Sequence, residues 1–407
     1  MITIDEALRL IQQHTMVKTA IDVAAIESLG MTLAEDVASD VDSPPYDKAL
    51  VDGYAVDAAD LKSGSARLKI VEEVTAGRMP TQPIGPGLAT RIMTGAPLPK
   101  GCDAAVMVET THVEPDPDGG LGRVIIRGKP MVPGNNVMPR AQAMRRGQKV
   151  LSVGSRIRPV EIGVLAEVGR GHVKAIAQPR VAVLSTGDEV VPAETTPKAA
   201  QIRNSNGPLL ASLVAARGAT PIELGIAPDE PEPLRTAIRR GLEADLLILS
   251  GGVSAGVLDL VPKVLDELGV REVFHKVKLK PGKPVWFGTF SGNGSDKLVF
   301  GLPGNPVGAL VAGMLLVRPA LLRMAGQPFA PTPTFHAALT KAFQHKGQRP
   351  TYHPAVVRRE ENGARVEPLP WHGSADLFTL SRANAFIHFP AGQLTFKEGE
   401  RVELIEL

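Results

Sequence analysis

The stretch that decides the fold of this chain is Lys297-Leu-Val-Phe-Gly-Leu-Pro-Gly-Asn-Pro-Val307, which runs on into an apolar segment. Leu298, Val299 and Phe300 form a short apolar run, typical of a strand that is buried on both faces. In the turn that follows, Gly304 predicts a positive φ and a close approach of backbone N–H groups to a ligand. Asn305 and Pro306 suit the N-cap and the first position of a helix. A strand, a glycine turn and a helix start in this order predict an anion-binding site.

The same strand and turn pattern occurs twice more upstream. Residues 181–185 form an apolar strand followed by the turn 186–189, and residues 246–250 form another, followed by the glycine-rich turn 251–256. The carboxyl ends of parallel strands meet at one edge of a sheet, so the three units predict a parallel α/β layer with its ligand at that edge. A single glycine turn usually does no more than connect two elements of secondary structure. Three such turns that carry Ser, Thr, Asp or Asn favour a ligand site.

Composition narrows the class of protein. The chain has 407 residues, which predicts several domains, and 45 basic against 43 acidic residues, a net charge of +2. That balance and an aromatic content of 4% argue against nucleic acid or an anionic membrane as partner. The single cysteine, Cys102, excludes an internal disulfide and fits a reducing compartment. The N-terminus lacks the pattern of a signal peptide, and the apolar stretch 307–317 is too short and too glycine-interrupted to span a bilayer. We therefore expect a soluble, cytoplasmic protein.

The remaining segments differ in their patterns. Residues 3–14 predict a helix with Thr3 as N-cap and Glu6 completing a capping box. Residues 57–133 carry short strands joined by Gly, Pro and Asp, which indicates a β-rich segment. The α/β pattern runs from about 175 to 325. The tail, 326–407, alternates apolar and polar residues and has a hairpin signal at Glu361-Asn-Gly363, which predicts a small β-barrel or sandwich.

The segment 276–284 is rich in cations within an apolar neighbourhood. Lys276, Lys278 and Lys280 would share one face of an extended chain, and Lys283 follows a turn. Taken alone, the segment is also typical of a solvated edge strand protected by lysines. Its place between two anion-type turns favours a clamp for a phosphate or another oxyanion.

Two polar residues of the β-rich segment have both a local and a functional interpretation. Asp52 precedes Gly53 in a sharp turn, where an aspartate commonly bonds its own backbone. Spacing alone favours this local interpretation for Asp52. Thr94 follows a strand, where it could donate to an anion or merely cap the turn.

Taken together, these motifs resemble the molybdopterin molybdenumtransferase family, which includes MoeA and the E domain of gephyrin. The resemblance covers essentially the full length, and the motifs follow in the order of the family. They are Pro44-Pro45 with 52–56, 91–97, 185–189, 250–254 with Gly256 and Asp259, 280–284, and 301–306.

The resemblance implies a homodimer of four-part subunits with a shared active site. A discontinuous mixed α/β N-terminal domain would take residues 1–41 and 134–174, with a β-rich domain, 42–133, inserted in it. The central parallel α/β domain, 175–325, would bind molybdopterin, and residues 326–407 would form a C-terminal β-barrel domain. The overall fold class is thus multi-domain α/β plus β.

The implied reaction inserts molybdate into adenylylated molybdopterin, with magnesium-assisted cleavage of the pyrophosphate link and release of AMP. The implied partners are an adenylyltransferase that supplies the pterin and molybdoenzymes that receive the cofactor. This chemistry agrees with the motifs, because a pyrophosphate and a tetrahedral oxyanion need N–H-rich turns and cations. A divalent metal on phosphate needs carboxylate oxygens.

The resemblance also implies the site residues. Three carboxylates would hold Mg²⁺, namely Glu189, Asp229 and Asp259, and with Asp52, Lys276 and Lys280 they make the catalytic set. Residues that would bind the pterin and its phosphates are Ser185, Thr186, Gly187, Gly251, Gly252, Ser254, Pro303, Gly304, Asn305 and Pro306, with Thr94 from the partner subunit. Residues that would hold molybdate are Lys276, Lys280, Lys283, Arg349 and Ser374.

The chain departs from the family pattern at four places. Ala143 stands where the family often has an aspartate, Leu260 follows Asp259 in place of a tyrosine, Gly308 replaces a small polar residue, and 47–51 reads Asp-Lys-Ala-Leu-Val. The lost carboxylate leaves an alternative open, a non-catalytic molybdopterin-binding or scaffold paralogue. A different nucleotide-utilising α/β enzyme is a third hypothesis.

Overall fold

A computed structural model of the chain describes residues 1–253, 260–292, 295–361 and 363–407. The chain divides into two compact units, one made of Met1–Ala34 with Val173–Leu407 and the other of Glu35–His172. The four domain boundaries implied by the resemblance remain predictions. The fold class, several α/β and β regions with a closed C-terminal barrel, is confirmed.

The N-terminal helix forms where its capping signal predicts. Helix α1 (Ile4–His14) begins after Thr3, whose Oγ1 accepts from the Glu6 N–H at 3.2 Å, while Thr3 N–H donates to Glu6 Oε2 at 2.8 Å. This capping box satisfies two N–H groups that a helix start leaves without partners. The helix buries Ala7, Leu8 and Ile11, and strands β1 (Ala20–Ala24) and β2 (Thr32–Leu33) follow it.

The unit Glu35–His172 is β-rich, as predicted. Its elements are β3 (Val37–Ala38), β4 (Lys48–Ala49), β5 (Gly53–Val56), β6 (Ser65–Val74), β7 (Leu88–Ile92), β8 (Ala104–Met107), β9 (Thr111–Glu114), β10 (Arg123–Arg127), β11 (Val137–Met138), β12 (Lys149–Leu151) and helix α2 (Pro159–Glu167). The largest sheet of this unit has six strands in the order β8-β5-β7-β6-β10-β9 and packs a core that contains Tyr54, Leu61 and Val124.

The other unit resumes with β13 (His172–Ile176), which pairs with β2 and lies between β1 and β2 in a three-stranded sheet. The α/β region follows. Its elements are β14 (Arg180–Thr186), β15 (Val190–Val191), β16 (Ile202–Arg203), α3 (Asn206–Ala215), β17 (Thr220–Ala227), α4 (Pro231–Gly241), β18 (Leu246–Ser250), α5 (Leu260–Glu267), β19 (Arg271–His275), β20 (Trp286–Gly292) and β21 (Ser295–Leu302).

The sheet of this region has six strands in the order β17-β14-β18-β21-β20-β19. The first four strands pair in parallel, which confirms the predicted parallel layer. At the other edge, β20 pairs antiparallel with both β21 and β19. Ser185 lies opposite Ser250, and Ser250 opposite Leu302. This register ends three strands at one level and sets the turns that follow them side by side.

A long helical run follows the last parallel strand. It comprises α6 (Pro306–Ala312), one π-helical turn (Gly313–Val317) and α7 (Arg318–Met324). The stretch 307–317, which we predicted to be too short to span a bilayer, is part of a longer helix, Pro306–Met324, whose 19 residues are long and apolar enough by length and composition alone. However, 83% of its most apolar window is buried within the protein, which is typical of a core helix.

Helices cover both faces of the sheet. Successive strand residues point to opposite faces, so Val181, Val183 and Phe300 pack with α1, α3 and α6. Leu184 and Val299 point to the other face and pack with α4 and α5. Burial on both faces explains why the strands read as continuous apolar runs.

The tail folds as a closed barrel, which decides between the two predicted architectures. Its elements are β22 (Thr334–Leu339), β23 (Phe343–Gly347), β24 (Thr351–Glu360), β25 (Gly363–Pro368), α8 (Leu377–Ser381), β26 (Ala385–Phe389), β27 (Gly392–Phe396) and β28 (Arg401–Glu406). The strands of the barrel follow in the order β22-β25-β24-β26-β28. Glu360 pairs with Gly363 across the predicted hairpin, although Asn362 lies outside the described residues.

Candidate functional site

A cavity of about 1170 Å³ lies at the carboxyl ends of the parallel strands. The turns after β14, β18 and β21 form one side of it, and the start of α3 closes the gap between them. The segment 280–284, Arg349 and the loop 371–375 form the other side. The edge of the sheet at which we predicted a ligand therefore carries a cavity, and all residues that line this cavity belong to one unit.

Glycine at 251 lets the first two turns pack against each other. Gly251 has φ +97°, and a Cβ there would lie 2.5 Å from the carbonyl oxygen of Thr186. Its N–H donates to the carbonyl of Leu302 at 3.2 Å, which links the second turn to the end of β21. A side chain at 251 would force these backbones apart, so the residue is dictated by packing as well as by φ.

The prediction for Gly304 is wrong in its geometry. Gly304 is not among the glycines with a positive φ, and a Cβ there would meet only Gly251 Cα, at an ordinary 3.7 Å. Asn305 does occupy the N-cap position of α6, with Pro306 in the first turn, but its side chain makes no capping hydrogen bond. The turn therefore owes its shape to its neighbours rather than to a left-handed glycine.

The lysine segment lies against this turn through two glycines. A Cβ on Gly282 would lie 3.3 Å from the carbonyl oxygen of Gly308, and one on Gly308 would lie 3.3 Å from Pro303 Cβ. Gly308, one of the departures from the family pattern, thus has a structural reason, because a larger residue would press on both loops. The close packing brings Lys280 and Lys283 to the pocket wall.

The C-terminal barrel holds the backbone of Lys280 on both sides. Lys280 N–H donates to the carbonyl of Pro350 at 2.9 Å, and Tyr352 N–H donates to the carbonyl of Lys280 at 2.8 Å. Arg349 also lines the pocket, and its Nη1 donates to the carbonyl of Leu279 at 2.8 Å. Lys280, Lys283 and Arg349 therefore meet at one cavity, which Arg203 also lines, as a site for anions requires.

The predicted common face of Lys276, Lys278 and Lys280 is wrong. Lys276 has φ +72°, which breaks the extended conformation at its own position. Lys278 lines a second cavity, of about 620 Å³, and Lys280 lines the first. Lys276 is not among the described residues that line the first cavity, so its predicted catalytic position is not supported by the geometry.

Two of the three predicted metal ligands reach the pocket. Glu189 and Asp229 line it, and the Glu189 carboxylate lies over Gly187, where a Cβ would come within 2.6 Å of Oε2. Asp229 N–H donates to Asp188 Oδ1 at 2.9 Å. Asp259 lies outside the described residues, as does Ser254, and among the residues that are described no group of three acidic, His or Cys side chains is placed to hold a metal.

The loop 371–375 brings Ser374 to the cavity. Val307 N–H donates to the carbonyl of Ser374 at 3.1 Å, which ties the loop to the start of α6. Asp376 caps α8 by accepting from Thr379 N–H at 3.0 Å and also accepts from His372 N–H at 3.2 Å. The hydrogen bonds from Thr379, and then that from His372, hold the pKa of Asp376 well below its usual range.

Two asparagines at the start of α3 were missed by the sequence reasoning. Asn206 Nδ2 donates to Ser250 Oγ at 2.6 Å and to the carbonyl of Gly304 at 2.7 Å. Asn204 Oδ1 accepts from Ser185 Oγ at 2.9 Å and from Gly207 N–H at 3.0 Å. A signal was available in the sequence, since Asn204 and Asn206 lie at the start of the helix that follows the first glycine turn.

Within the part of the chain that the structure describes, two buried oxygens at the pocket lack a hydrogen-bond partner. They are Thr186 Oγ1 and Asn206 Oδ1, on side chains that are 3% and 8% exposed. Leaving a buried polar atom unpaired costs about 1–3 kcal/mol. Such atoms on the wall of a cavity are typical of a site that binds a polar ligand.

Asp52 and Thr94 pair with each other in the unit Glu35–His172. Thr94 donates to Asp52 Oδ1 from its N–H at 2.6 Å and from its hydroxyl at 2.8 Å. These bonds, the backbone one first, lower the pKa of Asp52. Neither residue is among the described residues that line the cavity, so their contribution from a second subunit remains a prediction.

The cavity thus gathers most of the predicted site. Lys276, Asp52 and Thr94 do not line it within the described chain, and Ser254 and Asp259 lie outside that range. The predicted residues that it brings together are Ser185, Thr186, Gly187, Glu189, Asp229, Gly251, Gly252, Lys280, Lys283, Pro303, Gly304, Asn305, Pro306, Arg349 and Ser374.

Fold and site define a class, a multi-domain α/β protein with an anion pocket at the carboxyl edge of its sheet. Three family profiles match the chain: the MoeA N-terminal region (domain I and II) over residues 2–169, a probable molybdopterin binding domain over 182–323, and the MoeA C-terminal region (domain IV) over 336–407.

Known proteins resemble the chain along its whole length. The molybdopterin molybdenumtransferase of Bacillus subtilis is 30% identical over 99% of this chain and 94% of its own, and that of Staphylococcus aureus strain COL is 32% identical over 99% and 95%. A crystal structure of a molybdopterin biosynthesis MoeA protein from Pyrococcus horikoshii has 32% identity and a TM-score of 0.79, and covers 100% of this chain and 98% of its own. The chain belongs to the MoeA family, as its motifs predicted.

Proposed function

We propose that this chain is a transferase of molybdenum cofactor biosynthesis that inserts molybdate into adenylylated molybdopterin and releases AMP. The name shared by its full-length relatives supports the reaction class. One observation carries the proposal: a single cavity joins three strand-end turns, the cations Lys280, Lys283 and Arg349, and the carboxylates Glu189 and Asp229. The anionic substrates require this combination.

The cavity offers different groups to the two substrates. A pyrophosphate suits the strand-end turns, because the helix dipole at the start of α6 favours negative charge there. A tetrahedral oxyanion such as molybdate suits the cations of the opposite wall, because a guanidinium can donate two parallel hydrogen bonds to it. The volume of about 1170 Å³ is large enough for a pterin with its nucleotide tail.

Magnesium fits the donor set of the pocket. Glu189 and Asp229 supply carboxylate oxygens, the ligands that Mg²⁺ prefers, and Thr186 Oγ1 is a buried oxygen without a protein partner beside them in the lining. When bound, the metal would neutralise charge on the pyrophosphate that is cleaved. We propose that Glu189 and Asp229 hold it.

We also propose a homodimer in which Asp52 and Thr94 serve the pocket of the other subunit. The resemblance supports this assembly, and the hydrogen bonds from Thr94 hold the Asp52 carboxylate ionised in one orientation. A cytoplasmic location, an adenylyltransferase donor and molybdoenzyme acceptors are proposed on the same ground. Light scattering coupled to size exclusion tests the dimer, and a mass of one subunit, 43.1 kDa, would contradict it.

The activity is tested by AMP release. Purified protein is mixed with adenylylated molybdopterin, molybdate and Mg²⁺, and AMP is quantified over time. We expect AMP that depends on both molybdate and Mg²⁺, with reactions that lack either one as controls. No molybdate-dependent AMP above background would contradict the proposal. Binding of the pterin without turnover would instead favour the scaffold alternative, which neither the relatives nor the described residues now support.

A further inference from the structure

We propose that Asn206 is a positioning residue that holds the turns 250–252 and 303–305 at the separation their ligand requires. Its side chain lies between them and donates to Ser250 Oγ and to the carbonyl of Gly304. The other links between these segments are the hydrogen bond from Gly251 N–H to the Leu302 carbonyl and the close approach of two glycines, since a Cβ on Gly304 would lie 3.7 Å from Gly251 Cα. The inference rests on the proposed function only where turnover is the readout.

The orientation of the Asn206 amide follows from its neighbours. The carbonyl of Gly304 can only accept a hydrogen bond, so the amide atom 2.7 Å away must be the nitrogen. Ser250 Oγ, 2.6 Å from the same nitrogen, accepts the second amide hydrogen. Asn206 therefore acts as a double donor, and its oxygen is the atom left without a protein partner.

Asn204, just before α3, has the opposite hydrogen-bonding role. The N–H of Gly207 can only donate, so the amide atom 3.0 Å from it must be the oxygen, which also accepts from Ser185 Oγ. Asn204 thus acts as an acceptor and ties the end of β14 to the start of α3. The neighbouring asparagines join three strand ends, one by accepting and the other by donating.

This contrast supplies a charge-matched experiment. Asn206→Asp removes the donor and sets a carboxylate oxygen against the Gly304 carbonyl, whereas Asn204→Asp adds the same charge but keeps the acceptor. We expect Asn206→Asp to lower kcat/KM for AMP release about 10- to 100-fold, the range for an unpaired buried carbonyl. In Asn204→Asp only the added charge acts, so kcat/KM should fall by no more than about 2- to 5-fold.

Amide hydrogen exchange provides a readout that does not depend on turnover. In ligand-free protein, Asn206→Asp should speed exchange in peptides covering both 250–252 and 303–305, while Asn204→Asp should leave those peptides as in the parent. Asn206→Ala, which removes the donor without adding charge, should reproduce the effect if Asn206→Asp folds poorly. If the parent releases no AMP, the proposed function fails while this measurement still tests the role of Asn206.

Three outcomes would overturn the inference. Equal loss of kcat/KM in Asn204→Asp and Asn206→Asp would assign the effect to charge. Unchanged exchange in both turns of Asn206→Asp and Asn206→Ala would show that the side chain does not hold them. Faster exchange throughout the sheet, with no preference for the two turns, would reduce Asn206 to a general role in stability.

Discussion

Threonine stands near a strand end in both units, and its hydroxyl meets opposite situations there. In the pocket, Thr186 Oγ1 is buried beside the glycine turn and has no partner among the described residues. In the β-rich unit, Thr94 directs its hydroxyl and its N–H to Asp52. The hydroxyl of Thr186 is thus left unpaired at a cavity, whereas that of Thr94 is bonded to a carboxylate of its own unit. The contrast indicates that the pocket is built to receive a ligand, while the Asp52 turn is already organised without one.

The largest expected effect tests the cations of the pocket. Lys280→Met keeps the length and the apolar stem of the side chain but removes the charge from the cavity wall. We expect kcat/KM for AMP release to fall roughly 100-fold, as when one preorganised donor to an oxyanion is removed. Lys278→Met is the matched control, because Lys278 is exposed and lines the second cavity. An equal loss in both variants would show that general charge, not position, matters.

The next effect tests how tightly the turns of the pocket pack. Gly251→Ala places a methyl group 2.5 Å from the Thr186 carbonyl at a residue with φ +97°, and should lower the free energy of unfolding by about 1–3 kcal/mol. Gly304→Ala meets only an ordinary contact and should change it by less than about 0.5 kcal/mol. Urea denaturation measures both. Similar values for the two variants would remove the packing argument.

A smaller effect compares the two threonines directly. Thr186→Val removes an unpaired buried hydroxyl, so the free energy of unfolding of ligand-free protein should rise by about 1 kcal/mol. Thr94→Val removes a donor to Asp52, so it should lower the melting temperature. Differential scanning calorimetry of both variants gives the two signs. Stabilisation by both substitutions, or by neither, would end the contrast between the regions.

The smallest expected effect is a titration. The hydrogen bonds from Thr94 lower the pKa of Asp52, so their stabilisation is present above the unfolded pKa of about 3.9 and is lost as the pH falls through the folded value. Thr94→Val removes the hydroxyl donor but keeps the backbone N–H, so it should raise the pKa of Asp52 only part of the way towards that unfolded value. Carbon-detected NMR of the labelled carboxyl follows the titration. An unchanged midpoint would assign the whole shift to the backbone N–H of residue 94 and remove the role of the hydroxyl.

The strands of the α/β sheet could be predicted because burial on both faces leaves an unbroken apolar run in the sequence. The edge that carries the ligand followed from the parallel order, and with it most of the pocket. In contrast, the antiparallel strands β19 and β20 carry no local mark of their direction. The φ of Lys276 was also missed, because the pattern of alternating lysines says nothing about a single left-handed residue.

The parts of the site that could not be predicted depend on contacts between segments that are distant in sequence. Nothing near Arg349 in the sequence indicates that it lies beside Lys280, since the segment that leads into strand β24 of the barrel brings it there. The asparagines of α3 were passed over because each acts through groups far along the chain, at Ser250, Gly304 and Ser185. Hydrogen bonds of this kind become visible only when the strand ends are set side by side.

The backbone bonds on either side of Lys280 have a consequence for engineering and for the history of the fold. Tyr352 of strand β24 and Pro350, just before that strand, hold the lysine backbone, and the same segment supplies Arg349 to the pocket wall. The C-terminal barrel is therefore not a detachable module. A chain shortened at residue 325 would lose the Arg349 charge and also the backbone hydrogen bonds that hold Lys280 in place. The α/β region alone would therefore have an incomplete anion site, whether as an early form of the protein or as an engineered fragment.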